Sequence, residues 1–161
     1  MPLDVGQPLP DADLLTMGPD GPTTVSLSER IAGKTVVLFA LPGAFTGTCS
    51  TAHMPSFTRT ADAFREKGVD EIVCLSVNDP FAMSAWGRAT GADEAGITMM
   101  CDANGAFTEA VGMSFSAPPV GLYNRSNRYA LVLKDGVIAH ANIDEPGVCE
   151  MSTGEALLEK L

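Results

Sequence analysis

Long apolar runs are missing from this chain: nothing approaches the roughly 18 consecutive apolar residues that a membrane span requires. Basic residues are scarce too, ten Lys and Arg against twenty Asp and Glu, for a formal net charge of −10. A surface of that sign repels phosphate backbones and anionic lipid, which argues against nucleic acid or a membrane as partner. Histidine is limited to His53 and His140, and the four cysteines, Cys49, Cys74, Cys101 and Cys149, are scattered with no Cys-x-x-Cys pair. A structural zinc site is therefore not expected. The first fifteen residues show neither a basic start followed by an apolar run nor an Arg-rich, acid-poor composition. The expected location is cytoplasmic, where thiols stay reduced and the question becomes whether one of them is reactive.

What is present suits one buried core. With 161 residues, 45% hydrophobic and 19% charged, the chain is expected to form a single domain over residues 1–161 without extensive disorder. The first thirty residues are rich in Gly and Pro and read as an extended lead-in with hairpin character, including a β-like piece at Thr23 to Leu27. Thr35 to Leu41 (TVVLFAL) and Glu71 to Val77 (EIVCLSV) are continuous apolar runs rich in β-branched residues, as strands covered on both faces should be. Between them Met54, Phe57, Ala61 and Phe64 recur at helical spacing, with Pro55 inside the pattern predicting a kink about one turn after Cys49. Asp79-Pro80 supplies an N-cap and first-turn proline for a helix with Phe81, Met83 and Trp86. Ile97 to Met100 predicts a strand, Gly105 to Val111 a short helix, and Tyr129 to Leu133 with Val137 to Ile143 a hairpin about Asp135-Gly136. Ser152-Thr153-Gly154-Glu155 fits a capping box opening a last helix. The order β-α-β-α-β-α-β-β-α predicts an α/β fold, a mixed central sheet flanked by helices, of thioredoxin type; other three-layer α/β folds satisfy the same order.

The chemistry concentrates in Pro42-Gly43-Ala44-Phe45-Thr46-Gly47-Thr48-Cys49, a loop running from a buried strand into a helix. Cys49 falls in the first helical turn, where unpaired N–H groups and the positive end of the helix dipole favour thiolate over thiol. Thr46 can offer its hydroxyl to the sulfur and to an incoming oxygen, and Pro42 can wall the pocket against water. Position alone equally allows Cys49 to be a small packing residue at a helix start.

The spacing Pro42-x-x-x-Thr46-x-x-Cys49 matches the active-site signature of peroxiredoxins, and PGAFTGTCSTAHMPSF (42–57) resembles the peroxiredoxin-5 or type II group in particular. The resemblance continues through CLSVNDPFAMSAWG (74–87), CDANGAF (101–107) and RSNRYALVLKDGVI (125–138), nearly the whole chain in order. It implies a thioredoxin-like fold with an extended N-terminal β segment. It also implies thiol-dependent reduction of hydrogen peroxide and alkyl hydroperoxides, with no cofactor, metal, haem or flavin. By that resemblance Cys49 is the peroxidatic cysteine, Thr46 its hydroxyl partner, Pro42 the shielding proline and Arg128 the arginine that completes the site. Arg125 is the local competitor for that last role. The group commonly has Pro where this chain has Gly47, and glycine loosens the loop that places Thr46.

Attack on peroxide leaves Cys49 as sulfenic acid, which must meet a thiol before it is over-oxidised. Members of the group place a resolving cysteine near Cys149, in the loop before the last helix, or at Cys74, here in the middle of a buried strand. Glutathione with glutaredoxin, or thioredoxin, acting in trans is the expected reductant, and a single-cysteine cycle is the alternative to either disulfide. His53 shares a helical face with Cys49; support of the loop is its expected part, ahead of a Cys–His base pair or half of a metal site. The resemblance also implies a homodimer. Alternatives of another class are a thiol-based peroxide sensor or redox-signalling module, and a disulfide reductase, which the missing Cys-x-x-Cys disfavours: Ser50-Thr51-Ala52 follows Cys49.

Overall fold

A computed structural model describes residues 3–161, the side chain of Cys49 excepted. Strands β1 (Asp13–Gly18) and β2 (Gly21–Ser26) form the expected N-terminal hairpin, and α1 (Leu27–Ile31) leads into β3 (Thr35–Ala40). A π-helical turn, Cys49–His53, runs into α2 (Met54–Glu66). Then come β4 (Glu71–Ser76), α3 (Pro80–Thr90), β5 (Thr98–Cys101) and α4 (Ala106–Ala110). A small hairpin follows, β6 (Ser114–Ala117) and β7 (Leu122–Ser126), joined through a 3₁₀ turn at Pro118–Val120. Strands β8 (Tyr129–Lys134) and β9 (Val137–Ile143) and helix α5 (Gly154–Leu158) close the chain.

Seven strands form one mixed sheet in the order β2-β1-β5-β4-β3-β8-β9, with β3, β4 and β5 parallel and the rest added antiparallel. This is the mixed, helix-flanked sheet that the sequence predicts. The period of two along β3 explains its apolar run. Val37 and Phe39 pack with Phe57, Phe64, Trp86 and Leu157 on one face. Val36, Leu38 and Ala40 pack with Leu27, Phe107 and Leu131 on the other. Each large side chain buried in this way contributes about 1.5–3 kcal/mol. Phe39 and Phe57 stack nearly parallel with ring centroids 3.8 Å apart, which fixes α2 over the C-terminal half of β3.

The local signals mostly act as expected. Asp79 caps α3 by accepting from the Ala82 N–H at 2.8 Å. Asp135 (φ 49°) and Gly136 (φ 77°) both adopt the left-handed conformation that a two-residue hairpin turn needs. Three details differ. Pro55 lies in the first turn of α2, and the irregularity is the π-helical turn just before it. A proline cannot supply the N–H that an α-helix would aim at the carbonyl four residues back, so the wider turn ends where the proline begins. Thr153, not Ser152, caps α5, accepting from the Ala156 N–H at 3.2 Å, because the Ser152 hydroxyl is held by Asp144 at 2.6 Å. The β6–β7 hairpin was not expected; its strands are short, SFSA alternating over only four residues and LYNRS not alternating.

Helices α2 and α5 touch at a point that admits no side chain. A Cβ on Gly154 would collide with the Ser56 carbonyl oxygen and the Thr60 hydroxyl, and the Gly154 N–H donates to Ser56 Oγ at 2.9 Å. Replacing Gly154→Ala should lower stability by about 1–3 kcal/mol, because a backbone carbonyl cannot step aside as a flexible side chain would. Urea unfolding measures this; an unchanged midpoint would show that the helices are not seated so closely.

Candidate active site

Strand β3 ends against β4, and the chain then turns across the C-terminal edge of the parallel strands, where open α/β sheets bind their ligands. Residues 42–46 are held there by named donors. Arg125 Nη1 donates to the Pro42 carbonyl at 3.1 Å, and the Ala44 N–H donates to Asn78 Oδ1 at 2.9 Å. Asn78 Oδ1 also accepts from the Ser76 hydroxyl at 2.8 Å. A side chain at Gly43 would overlap the Arg125 guanidinium and push it from the Pro42 carbonyl, so glycine leaves room for this close approach. Phe45 adopts a left-handed conformation (φ 62°) with its ring 61% exposed. For an aromatic residue that costs on the order of 1 kcal/mol, strain of a kind that gathers at functional sites.

The Thr46 hydroxyl donates to the Gly43 carbonyl at 2.7 Å. Its proton is thereby committed, and what it presents to the pocket is an oxygen that accepts. Gly47 and Thr48 are already helical, so Cys49 enters the π-helical turn close to the start of the helix. The Cys49 side chain lies outside the described residues. Around this turn opens a cleft of about 720 Å³. Pro42, Thr46 and Arg128 line it together, with Phe115 and Leu122 from the small hairpin, Val120 from its turn, and Pro146 and Gly147 from the loop before α5. Arg128 is 6% exposed. Arg125, the competitor, is turned to the Pro42 carbonyl behind the loop.

His53 ends the π-helical turn and is fully buried, its ring tilted against Phe39 and Phe57. Its Nε2 lies 3.0 Å from the Ser152 carbonyl; a carbonyl only accepts, so Nε2 carries the proton and Nδ1 is left without a hydrogen-bond partner. Burial pushes the His53 pKa down to about 4, with Arg128's charge adding to the effect and the Ser152 bond and Asp144 opposing it. The ring is neutral at working pH and anchors the turn to the segment before α5. Asp144 organises that segment. Burial favours its protonated form, yet the Ser152 hydroxyl and the N–H groups of Ser152, Met151 and Glu150 outweigh burial and hold it below the ordinary carboxylate range.

Of the other cysteines, Cys74 is fully buried in the middle of β4, paired across the sheet with Phe39 and Met99. Cys149 is half-buried in the loop between β9 and α5. Cys101 is buried at the end of β5, where burial, then the charge of Asp79, pushes its thiol up to about 12 and keeps it protonated. Among the described residues no three His, Cys, Asp or Glu side chains gather as metal ligands. Sequence reasoning did not find Asn78, the clamping part of Arg125, Asp144, or the hairpin wall. Only Asp144 left a signal, an acidic residue at a strand end followed eight positions on by a serine.

A family model described as Redoxin matches residues 4–158. Peroxiredoxin-2E-2, chloroplastic, of Oryza sativa subsp. japonica is 45% identical over 161 residues, which cover 98% of this chain and 72% of that protein. Peroxiredoxin-2D of Arabidopsis thaliana is 39% identical over 161 residues, 99% of each. Among solved structures, reduced Prx3 in complex with hydrogen peroxide from Vibrio vulnificus is similar with a TM-score of 0.92 and 41% identity over 98% of both chains.

The depressed His53 pKa makes stability fall with acid. Between its ordinary value of 6.5 and about 4 the unfolded chain binds a proton at this residue and the folded chain does not. Stability therefore declines as pH falls through that window, by up to about 3 kcal/mol from this group alone. His53→Gln keeps a donor near the Nε2 position and takes up no proton, so urea unfolding between pH 7 and pH 4 should show a shallower decline. An equal decline in both proteins would mean that His53 is not the group being titrated.

Proposed function

The chain belongs to the Redoxin family and is a peroxiredoxin of the type II group, a thiol-dependent peroxidase, and from that premise we propose that Cys49 is its nucleophile and that Thr46, Arg128 and Pro42 build the site around it. The observation that carries this reading is that Pro42 and Thr46, from one loop, and the nearly buried Arg128, distant from them in sequence, line one cleft at the start of the Cys49 turn.

The parts divide as the chemistry requires. The Cys49 thiolate attacks the terminal oxygen of ROOH; the S–O bond forms, the O–O bond breaks, and RO⁻ leaves to take a proton from water. Cys49 is left as sulfenic acid. Thr46, its own proton spent on Gly43, accepts from the peroxide O–H and so fixes which oxygen is attacked. The Arg128 guanidinium favours both the thiolate and the charge growing on the departing oxygen. Pro42 offers no N–H and shields the sulfur from water. The cleft's apolar side chains, Phe45, Phe115, Val120 and Leu122, suit alkyl hydroperoxides as well as hydrogen peroxide.

For the return to thiol, Cys149 is favoured over Cys74. Its loop contributes Pro146 and Gly147 to the cleft, whereas Cys74 is enclosed at the centre of the sheet. Glutathione with glutaredoxin, or thioredoxin, then reduces the disulfide, in the cytoplasm. A homodimer belongs to the same proposal by family resemblance, with Phe45, Phe81 and Tyr123 among the exposed side chains a second copy would cover.

Cys49→Ser should abolish peroxide turnover with a thiol reductant. Arg128→Ala should lower kcat/KM by about 100-fold or more and raise the Cys49 thiol pKa, followed by thiolate absorbance against pH. Turnover retained in Cys49→Ser would end the assignment of the nucleophile. A pKa unmoved by Arg128→Ala would take Arg128 out of the site.

A further inference from the structure

Three of the four lysines of this acidic chain meet at one place. Lys67, Lys134 and Lys160 line a pocket of about 310 Å³ together with Thr35 and with His140, one of the two histidines; Val69 and Leu161 supply its apolar lining. The sheet and two helix ends build this gathering. Side chains along β3 and β8 alternate between faces, and Val37 and Val132 pack on the face covered by α2 and α5. Thr35 and Lys134, each two residues further along and paired across the strands, therefore project on that same face. His140 reaches it through an irregularity. The register slips between Val132 and Leu133, which leaves Ala139 as an extra residue in β9. In a regular strand Ala139 and His140 would point to opposite faces; here Ala139 packs against the α2–α5 core and His140 lines the pocket beside it. Re-aiming a side chain is what such bulges do, and they gather near functional sites. Lys67 follows the last turn of α2 and Lys160 that of α5, closing the pocket from the helix side.

Two of these placements have a simple cause. A lysine beyond a helix's last turn is favoured by the dipole, which accounts for Lys67 and Lys160 one at a time. It does not account for Lys134 and a re-aimed His140 being brought to the same spot, where like charges repel. Nor are these charges answered within the chain. Asp70 Oδ2 is spent on the Thr35 N–H at 2.9 Å, and Asp135 Oδ1 on the Gly33 N–H at 2.6 Å. Glu66 and Glu159, beside Lys67 and Lys160 in sequence, are exposed and outside the pocket lining. Among the described residues the ion pairs use Arg30, Arg59 and Arg65, and none of the three lysines.

We propose that this pocket binds a small phosphate-bearing anion, either the free ion or a low-molecular-weight phosphate monoester. Several ammonium groups suit a compact dianion, which lysine meets as a point charge. An imidazole N–H of His140 and the Thr35 hydroxyl can donate to further oxygens. The volume admits a small molecule, and the net charge of −10 turns away long polyanions and anionic membranes. Once bound, the anion ties the C-terminal ends of α2 and α5 to β8 and β9 and stabilises the fold by mass action. Thr35 begins β3 and Pro42 follows its end, about 20 Å away along the strand, so the site is separate from the peroxide cleft and does not rest on the role of Cys49.

Inorganic phosphate and glycerol 3-phosphate, titrated in turn into the full chain by calorimetry at fixed ionic strength with chloride as the balancing anion, test this. Saturable binding of at least one is expected, and the tighter of the two tells the free ion from the ester. Lys134→Gln, Lys160→Gln and His140→Ala should each weaken it by about tenfold. Lys34→Gln should not, since that lysine lies near Glu71 and outside the pocket. Without phosphate, Lys134→Gln should unfold in urea at a midpoint no lower than wild type, because it loses a repelled charge and no partner. Equal affinity in wild type and all variants, or no saturable binding at fixed ionic strength, would overturn the site. So would a lowered midpoint in phosphate-free Lys134→Gln, which would assign that lysine to a contact within the chain. Sedimentation with phosphatidate vesicles in the absence of binding to either soluble compound would overturn it too, as adsorption to a charged surface.

Discussion

The site depends first on the fixed course of residues 42–46. That stretch leaves the sheet with its carbonyls and amides unpaired by any strand, and it is caught by side chains from β7 and from the β4–α3 connection: Arg125 on the Pro42 carbonyl and Asn78 on the Ala44 amide. With the loop in place the Thr46 hydroxyl can reach back to Gly43, and an otherwise mobile rotor becomes a directed acceptor. The strained Phe45 backbone belongs to the same constraint, since its conformation would not persist unless the surroundings imposed it. The Gly47 that stands where the group commonly has proline sits just beyond this clamped stretch, with open space where a side chain would be.

Electrostatics at the site follow from burial. Arg128 is a nearly buried cation in a chain with a large negative excess, and a guanidinium out of water favours any nearby group that can hold negative charge. His53, on the same turn as Cys49, is kept neutral by burial and by Arg128, and is spent on Ser152. The buried histidine therefore acts through position, joining the turn to the C-terminal segment, where a Cys–His base pair was the livelier alternative.

Much of the architecture was legible because it is written in short-range patterns. Period two along β3, an Asp-Pro helix start and an Asp-Gly turn each state a local geometry, and the sheet followed from their order. The loop proposed to carry the nucleophile was legible through its resemblance, since the residues of 42–49 are contiguous. What stayed hidden is made by contacts between distant segments. Arg125 and Arg128 are three residues apart, and only the fold turns one behind the loop and the other into the cleft. Ser152 looked like a helix cap because its sequence fits one; Asp144 takes the hydroxyl, a carboxylate outbidding an orphan amide, and the cap passes to Thr153. The β6–β7 wall escaped notice because its strands are short and only one of them alternates.

The central claim is that one thiol among four meets the peroxide, and that its oxidised form is passed to the loop before α5. The most direct measurement is mass mapping of every cysteine after one equivalent of hydrogen peroxide, with no added reductant. The account predicts oxidation at Cys49 and a Cys49–Cys149 cross-link, with Cys74 and Cys101 recovered as thiols. First oxidation at Cys74, Cys101 or Cys149, with Cys49 recovered as thiol, would contradict it.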